Sequence, residues 1–190
     1  EIKVFGCTSA VQISSPAVWI DSCNLARTAT AKGESIQIVV NLGAEKMIDG
    51  DRTGSFFSSP SSTSADTSKE VSLTLKAASK VNEIRLYPVV KGGKYFGAFP
   101  KDFTVSIFDG AEWITVAQET DYRASAKPYI IDLPQGKYGV QGVMVSATKL
   151  DAEYQGASTY YLQLAEIEVY GVETELLRVE DYKGNRAESD

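Results

Sequence analysis

The segment Lys46-Met47-Ile48-Asp49-Gly50-Asp51-Arg52-Thr53-Gly54 sets two carboxylates at i and i+2 around a glycine. Side chains so spaced can turn into one concave loop, and such loops supply the hard oxygens of which calcium takes about six to eight. The same Asp-Gly-Asp also suits an ordinary turn, in which aspartate accepts local backbone hydrogen bonds. Glu166 is the second candidate. Leu162 and Leu164 share one parity, whereas Ile167 and Val169 share the other. The apolar face therefore slips by one residue around Ala165-Glu166. A β-bulge does this and re-aims a side chain. A strand end buried on both sides gives the same pattern without a bulge.

The chain of 190 residues contains no histidine. That removes Ser-His-Asp triads, Cys-His dyads and His-liganded zinc. Asp49 and Asp51 still permit carboxylate acid/base chemistry in principle, but metal ligation accounts for them better. The net charge of −6 argues against nucleic acid, which needs a basic face, and against anionic lipid. Cys7 and Cys23 form either one disulfide or two small buried thiols. No segment has the length of a membrane span.

The elements that must position these residues are strands. Ile36, Ile38, Val40 and Leu42 alternate, as do Val71, Leu73 and Leu75. Ile84 and Leu86 follow, ending at Tyr87-Pro88. Phe103, Val105 and Ile107 stop at an Asp109-Gly110 hairpin, and Ile114 and Val116 come next. Residues 129–133 read as a strand closed by Pro134, Val143, Val145 and Ala147 as another, and 160–172 as the last. Helical periodicity is absent. The predicted class is all-β, an antiparallel sandwich or barrel. Residues 55–68, crowded with Ser and Thr, predict a long exposed loop. Residues 1–172 form the expected domain, and 173–190 a polar tail or linker.

Leu86-Tyr87-Pro88, Phe99-Pro100-Lys101-Asp102-Phe103, Asp109-Gly110-x-x-Trp113 and Leu164-Ala165-Glu166-Ile167-Glu168-Val169-Tyr170-Gly171 follow one another at a recognisable spacing. Asn24-Leu25-Ala26 and Ile48-Asp49-Gly50-Asp51 precede them. Over residues 20–172 the chain resembles the discoidin, or coagulation-factor type C, domain, closest to the bacterial carbohydrate-binding modules of family thirty-two. The resemblance implies a jelly-roll β-sandwich of galactose-binding type. It implies a non-catalytic module on a larger secreted, periplasmic or cell-surface protein, monomeric in itself, with a glycan as partner. It also implies one structural calcium. Asp49, Asp51 and Glu166 would be side-chain ligands, and Lys46, Thr53 or Gly54, and Ala165 would give carbonyls. The family threonine sits one residue further on, where this chain has Gly54.

Sugar modules of this kind stack an aromatic ring on a pyranose from loops at one end of the sandwich. The candidates here are Phe56, Phe57, Tyr95, Phe96, Tyr122 with Arg123, and Tyr154, with Lys91 and Lys94 as donors. Packing is the competing role for each aromatic. Two family positions differ. Val89 stands where galactose binders often carry arginine, and Gly50 where they often carry histidine. The alternatives to a glycan module are a protein- or lipid-surface adhesion module and a structural spacer.

Overall fold

The structure is a computed structural model that describes residues 24–35, 42–154 and 156–174. Cys7, Cys23, the alternation at Ile36, Ile38 and Val40, and the tail from residue 175 lie outside the described residues. Twelve strands are found among those described. In chain order they are β1 (Thr30–Gly33), β2 (Phe57–Ser58), β3 (Lys69–Tyr87), β4 (Val90–Lys91), β5 (Lys94–Tyr95) and β6 (Asp102–Phe108). They continue with β7 (Trp113–Glu119), β8 (Tyr129–Lys149), β9 (Asp151–Ala152), β10 (Tyr160–Tyr161), β11 (Gln163–Leu164) and β12 (Glu166–Glu173). The main sheet has the order β1-β3-β8-β6-β7, with β12 also paired to β3. The pairs β2–β11, β4–β5 and β9–β10 form small sheets. Every pairing is antiparallel. This is the expected all-β sandwich.

Alternation builds the core. Val71, Leu73, Val143, Val145, Val105 and Ile107 face inward and are buried. Their register joins Val71 to Val145 and Val145 to Val105, so three strands stack one apolar row. Each such side chain contributes about 1.5–3 kcal/mol on burial. Phe99, Phe103, Tyr122 and Tyr129 close one end of this core as a cluster of edge-to-face and tilted rings, with centroids 5.1–5.8 Å apart.

Three expectations need correction. The strands read at 71–75 and 84–86 are parts of one 19-residue strand, and those at 129–133 and 143–147 of one 21-residue strand. Pro134 does not close β8, because the β3–β8 register jumps from Asp132 to Lys137 and asks no N–H of it. The segment 55–68 is not exposed throughout. Phe57-Ser58 pair with Gln163-Leu164, and Ser58 and Ser59 are buried. Their hydroxyls accept from Gln163 Nε2 at 3.1 Å and Leu162 N–H at 3.0 Å, which satisfies them inside.

The parity slip at Ala165 has a specific origin. Gln163-Leu164 pair with β2, whereas Glu166 onward pairs with β3. The chain bends at Ala165 as it changes sheets, and burial is continuous from Leu162 to Tyr170. The slip is therefore a change of sheet with burial on both sides, and no bulge falls at Ala165, since the register shift of β12 against β3 lies between Tyr170 and Gly171. The bend turns Glu166 toward the 48–55 loop.

Asn24 ties the start of the described chain to this last strand. Its Oδ1 accepts the N–H groups of Ala26 at 3.1 Å, as an N-cap, and of Val169 at 3.0 Å. Asn24→Ala is expected to cost about 1–2 kcal/mol. A urea midpoint lowered at unchanged slope would read this, and an unchanged midpoint would refute it.

Candidate metal and ligand site

A short 3-10 turn, Ala44–Met47, with Met47 fully buried, anchors the acidic loop. Asp49 Oδ1 accepts the Asp51 N–H at 2.9 Å. Its Oδ2 accepts from Ser55 Oγ at 2.7 Å and Lys46 Nζ at 3.5 Å. Gly50 has a φ of +83°, which glycine adopts without penalty. That conformation aims its N–H at the Glu166 carboxylate, 3.1 Å from both oxygens. Glu166 is 0% exposed. Burial first, and the nearby charge of Asp49 in addition, push its carboxyl up to about 8, against the opposing Gly50 N–H.

Asp51 behaves differently. Its Oδ1 accepts the N–H groups of Thr53 at 2.9 Å and Gly54 at 2.7 Å, which hold its carboxyl below the usual range. The structure thus brings Asp49 and Glu166 together around Gly50, while the Asp51 carboxylate is engaged by the Thr53 and Gly54 N–H groups. Among the described residues no three acidic side chains converge as a ligand set. Asp51 lines an open polar groove of about 500 Å³ with Asn24, Arg27, Arg52, Glu168 and Tyr170.

Two of these neighbours were not foreseen. Arg27 donates from Nη1 to the Ile48 carbonyl at 2.9 Å and lies where a Cβ on Gly50 would fall. Buried Glu168 accepts from Arg52 Nε at 2.7 Å and from the Tyr170 hydroxyl at 2.8 Å. Arg52 also covers the Tyr87 ring, 4.8 Å from its centroid. The signal for Glu168 was present. It shares the parity of Glu166, so one strand face carries two carboxylates among buried neighbours.

Of the aromatic candidates, Phe57 lies in β2 and Tyr95 in β5, and Phe56, Phe96, Tyr122 and Tyr154 lie in the segments between strands. Ala98 N–H bonds to the Ala152 carbonyl at 3.0 Å, and Tyr122 N–H to Lys101 at 2.9 Å. Lys101 Nζ lies 3.3 Å from Asp151. Their individual positions differ. Phe57 is buried in the core and presents no face to solvent. Tyr122 belongs to the aromatic cluster. The Tyr95 hydroxyl donates to Asp151 Oδ2 at 3.0 Å and accepts the Phe99 N–H at 3.2 Å, so it braces the loop, and burial pushes its phenol well up. Phe56 and Phe96 are half-buried, and Lys91, Lys94, Arg123 and Tyr154 are exposed. Val89, where galactose binders often carry arginine, is buried.

No family model matches the sequence, and no curated protein matches it. Solved structures do. A chitosan-binding module from a Paenibacillus sp. IK-5 chitosanase/glucanase is 22% identical, covering 78% of this chain and 98% of its own, with a TM-score of 0.58. A family 32 carbohydrate-binding module of Clostridium perfringens, in complex with galactose, is 17% identical over 78% and 98%, with a TM-score of 0.61. A fucose-binding module of Streptococcus pneumoniae is 21% identical over 80% and 97%, with a TM-score of 0.56. The strand order, the sheet change at Ala165 and these likenesses together give this chain the discoidin-like, galactose-binding-type β-sandwich fold of the family 32 modules.

Proposed function

We propose that the chain is a non-catalytic carbohydrate-binding module that attaches a larger secreted or cell-surface protein to a glycan. The observation that carries this reading is the meeting of Phe56, Phe96 and Lys91, with Lys94 opposite Lys91 in the β4–β5 pairing, exposed Tyr154 on the turn whose Ala152 carbonyl accepts the Ala98 N–H, and exposed Arg123 beside Tyr122. Pyranose recognition needs apolar ring faces beside hydrogen-bond donors, and these residues offer both. The solved neighbours named for chitosan, galactose and fucose support the glycan class and differ in the sugar. A catalytic role is disfavoured because Glu166, the carboxylate pushed furthest up, has no exposed surface from which to meet a substrate.

A structural calcium belongs to the same proposal. Glu166, fully buried, and Asp49, partly exposed, place two carboxylates near one another, with Gly50 N–H the direct donor to Glu166. Such a site suits a cation. Asp49 and Glu166 would hold it by side chain, and Lys46, Thr53 or Gly54, and Ala165 by carbonyl. We assign Asp51 to its carbonyl rather than its side chain, because its Oδ1 already accepts the Thr53 and Gly54 N–H groups. When bound, the ion would neutralise the buried carboxylates and pin the loop to β12.

A glycan array tests the main reading. Dose-dependent binding to a defined set of glycans, lost when Tyr154 and Phe96 are changed to alanine, is expected. Binding to liposomes and to no glycan at high concentration would reverse it in favour of surface adhesion.

A further inference from the structure

Lys91 occupies an unusual position. Its ammonium sits 3.5 Å from the centroid of the Phe96 ring and 5.8 Å from that of Phe56. Two aromatic rings thus fix the place of an exposed cation. Lys94 stands directly opposite Lys91 in the β4–β5 pairing. Like charges at opposed positions of an antiparallel pair destabilise it. The hairpin tip, Gly92-Gly93, has φ of +58° and +77° and open space where a Cβ would stand on either glycine.

Among the described residues no acid pairs with this charge. Between Tyr87 and Asp102 the sequence carries Lys91, Lys94 and Lys101 and no carboxylate, in a chain of net charge −6. Lys101 is taken by Asp151, which also accepts from Tyr95. Among the described residues neither Lys91 nor Lys94 has an ion-pair partner, and Glu153 on the neighbouring turn pairs with neither. A neutral sugar stacked on this face of Phe96 would have to displace the ammonium or cover it uncompensated, and both cost free energy. A ligand with an anionic group avoids that cost, relieves the Lys91–Lys94 repulsion and gains a charge-assisted hydrogen bond.

We propose that this end of the module selects glycans bearing an anionic substituent, a carboxylate or a sulfate, with Lys91 as the recognising cation and Lys94 beside it. The inference rests on the glycan-binding reading and deepens it. The test is calorimetric titration of the protein with matched oligosaccharides: neutral galactose, its uronic acid counterpart, its sulfated counterpart, and chitosan as a cationic member. At least one anionic member is expected to bind about ten-fold tighter than the neutral one, and which one identifies the substituent. That preference should shrink as salt rises from about 0.05 to 0.5 M. Lys91→Gln should remove most of that preference, read as the ratio of anionic to neutral affinity, in a variant that still unfolds in one cooperative transition. Equal binding of the neutral member, or tighter binding of chitosan, overturns the anionic selection alone. Binding of none of the four overturns the anionic selection, and the glycan array then decides the glycan reading separately.

Discussion

If the chain holds the proposed calcium, adding calcium to the chelated protein is expected to raise its melting temperature by roughly 10 °C near pH 8. An ion present at about a thousand times its dissociation constant stabilises the folded state by about 4 kcal/mol. For a domain of this size each kcal/mol moves the midpoint by about 2–4 °C. The pH dependence ties the effect to Glu166. Its carboxyl rises from an ordinary 4.5 to about 8 in the folded chain. Between those values the metal-free folded state holds a proton that the unfolded chain has released. Metal-free stability therefore falls as pH rises from about 4.5 to about 8, and it is level on either side of that window as far as this group is concerned. Calcium meets the ionised carboxylate, so its stabilising effect should grow across the same window. Glu166→Gln keeps the shape and removes the charge. It should flatten the metal-free profile and abolish most of the calcium shift. Identical melts in calcium and chelator at pH 8, with no metal found by elemental analysis, would sink the calcium proposal.

What the sequence conveyed follows from period two. Val71, Leu73, Val105, Ile107, Val143 and Val145 alternate with polar residues, and alternation on a half-buried sheet dictates which face turns inward. Strand length was hidden because parity fails inside β3 and β8, where register shifts fall between Thr74 and Glu83. The slip at Ala165 located Glu166, yet one dimension does not separate a bulge from a change of sheet. The acidic loop was visible as Asp49-Gly50-Asp51. Which carboxylate faced Glu166 was not, because that depends on Thr53 and Gly54 offering their N–H groups to Asp51. At the ligand end, side-chain type alone did not separate Phe57 and Tyr122, which pack inward, from Tyr154, which is 57% exposed. Arg27 carried no local signal at all. It reaches the loop across 21 residues to the Ile48 carbonyl.

Arg52→Ala should destabilise the protein by about 3 kcal/mol, more than removal of its partner. The reason is an asymmetry of burial. The Glu168 side chain is 4% exposed, whereas that of Arg52 is 46% exposed. Without Arg52, the carboxylate loses its charged partner and keeps the Tyr170 hydroxyl at 2.8 Å, with the Tyr87 hydroxyl beside it. Without Glu168, the guanidinium can turn to water, and the main loss is the partner of the Tyr170 hydroxyl, about 1–2 kcal/mol. Glu168→Ala added to Arg52→Ala should therefore recover part of the loss, which a double-mutant cycle by urea unfolding would read. Arg52→Lys should fall between, since it keeps the charge but not the two-pronged fork. The pair also spans the 48–55 loop and β12, the two segments that calcium would join. In Arg52→Ala the loop keeps only its Gly50–Glu166 contact to that strand's start, so part of the binding energy goes to ordering it. The calcium-induced rise in melting temperature should then be smaller than in the unaltered protein. An undiminished rise would show that Arg52 stabilises the sandwich without positioning the loop.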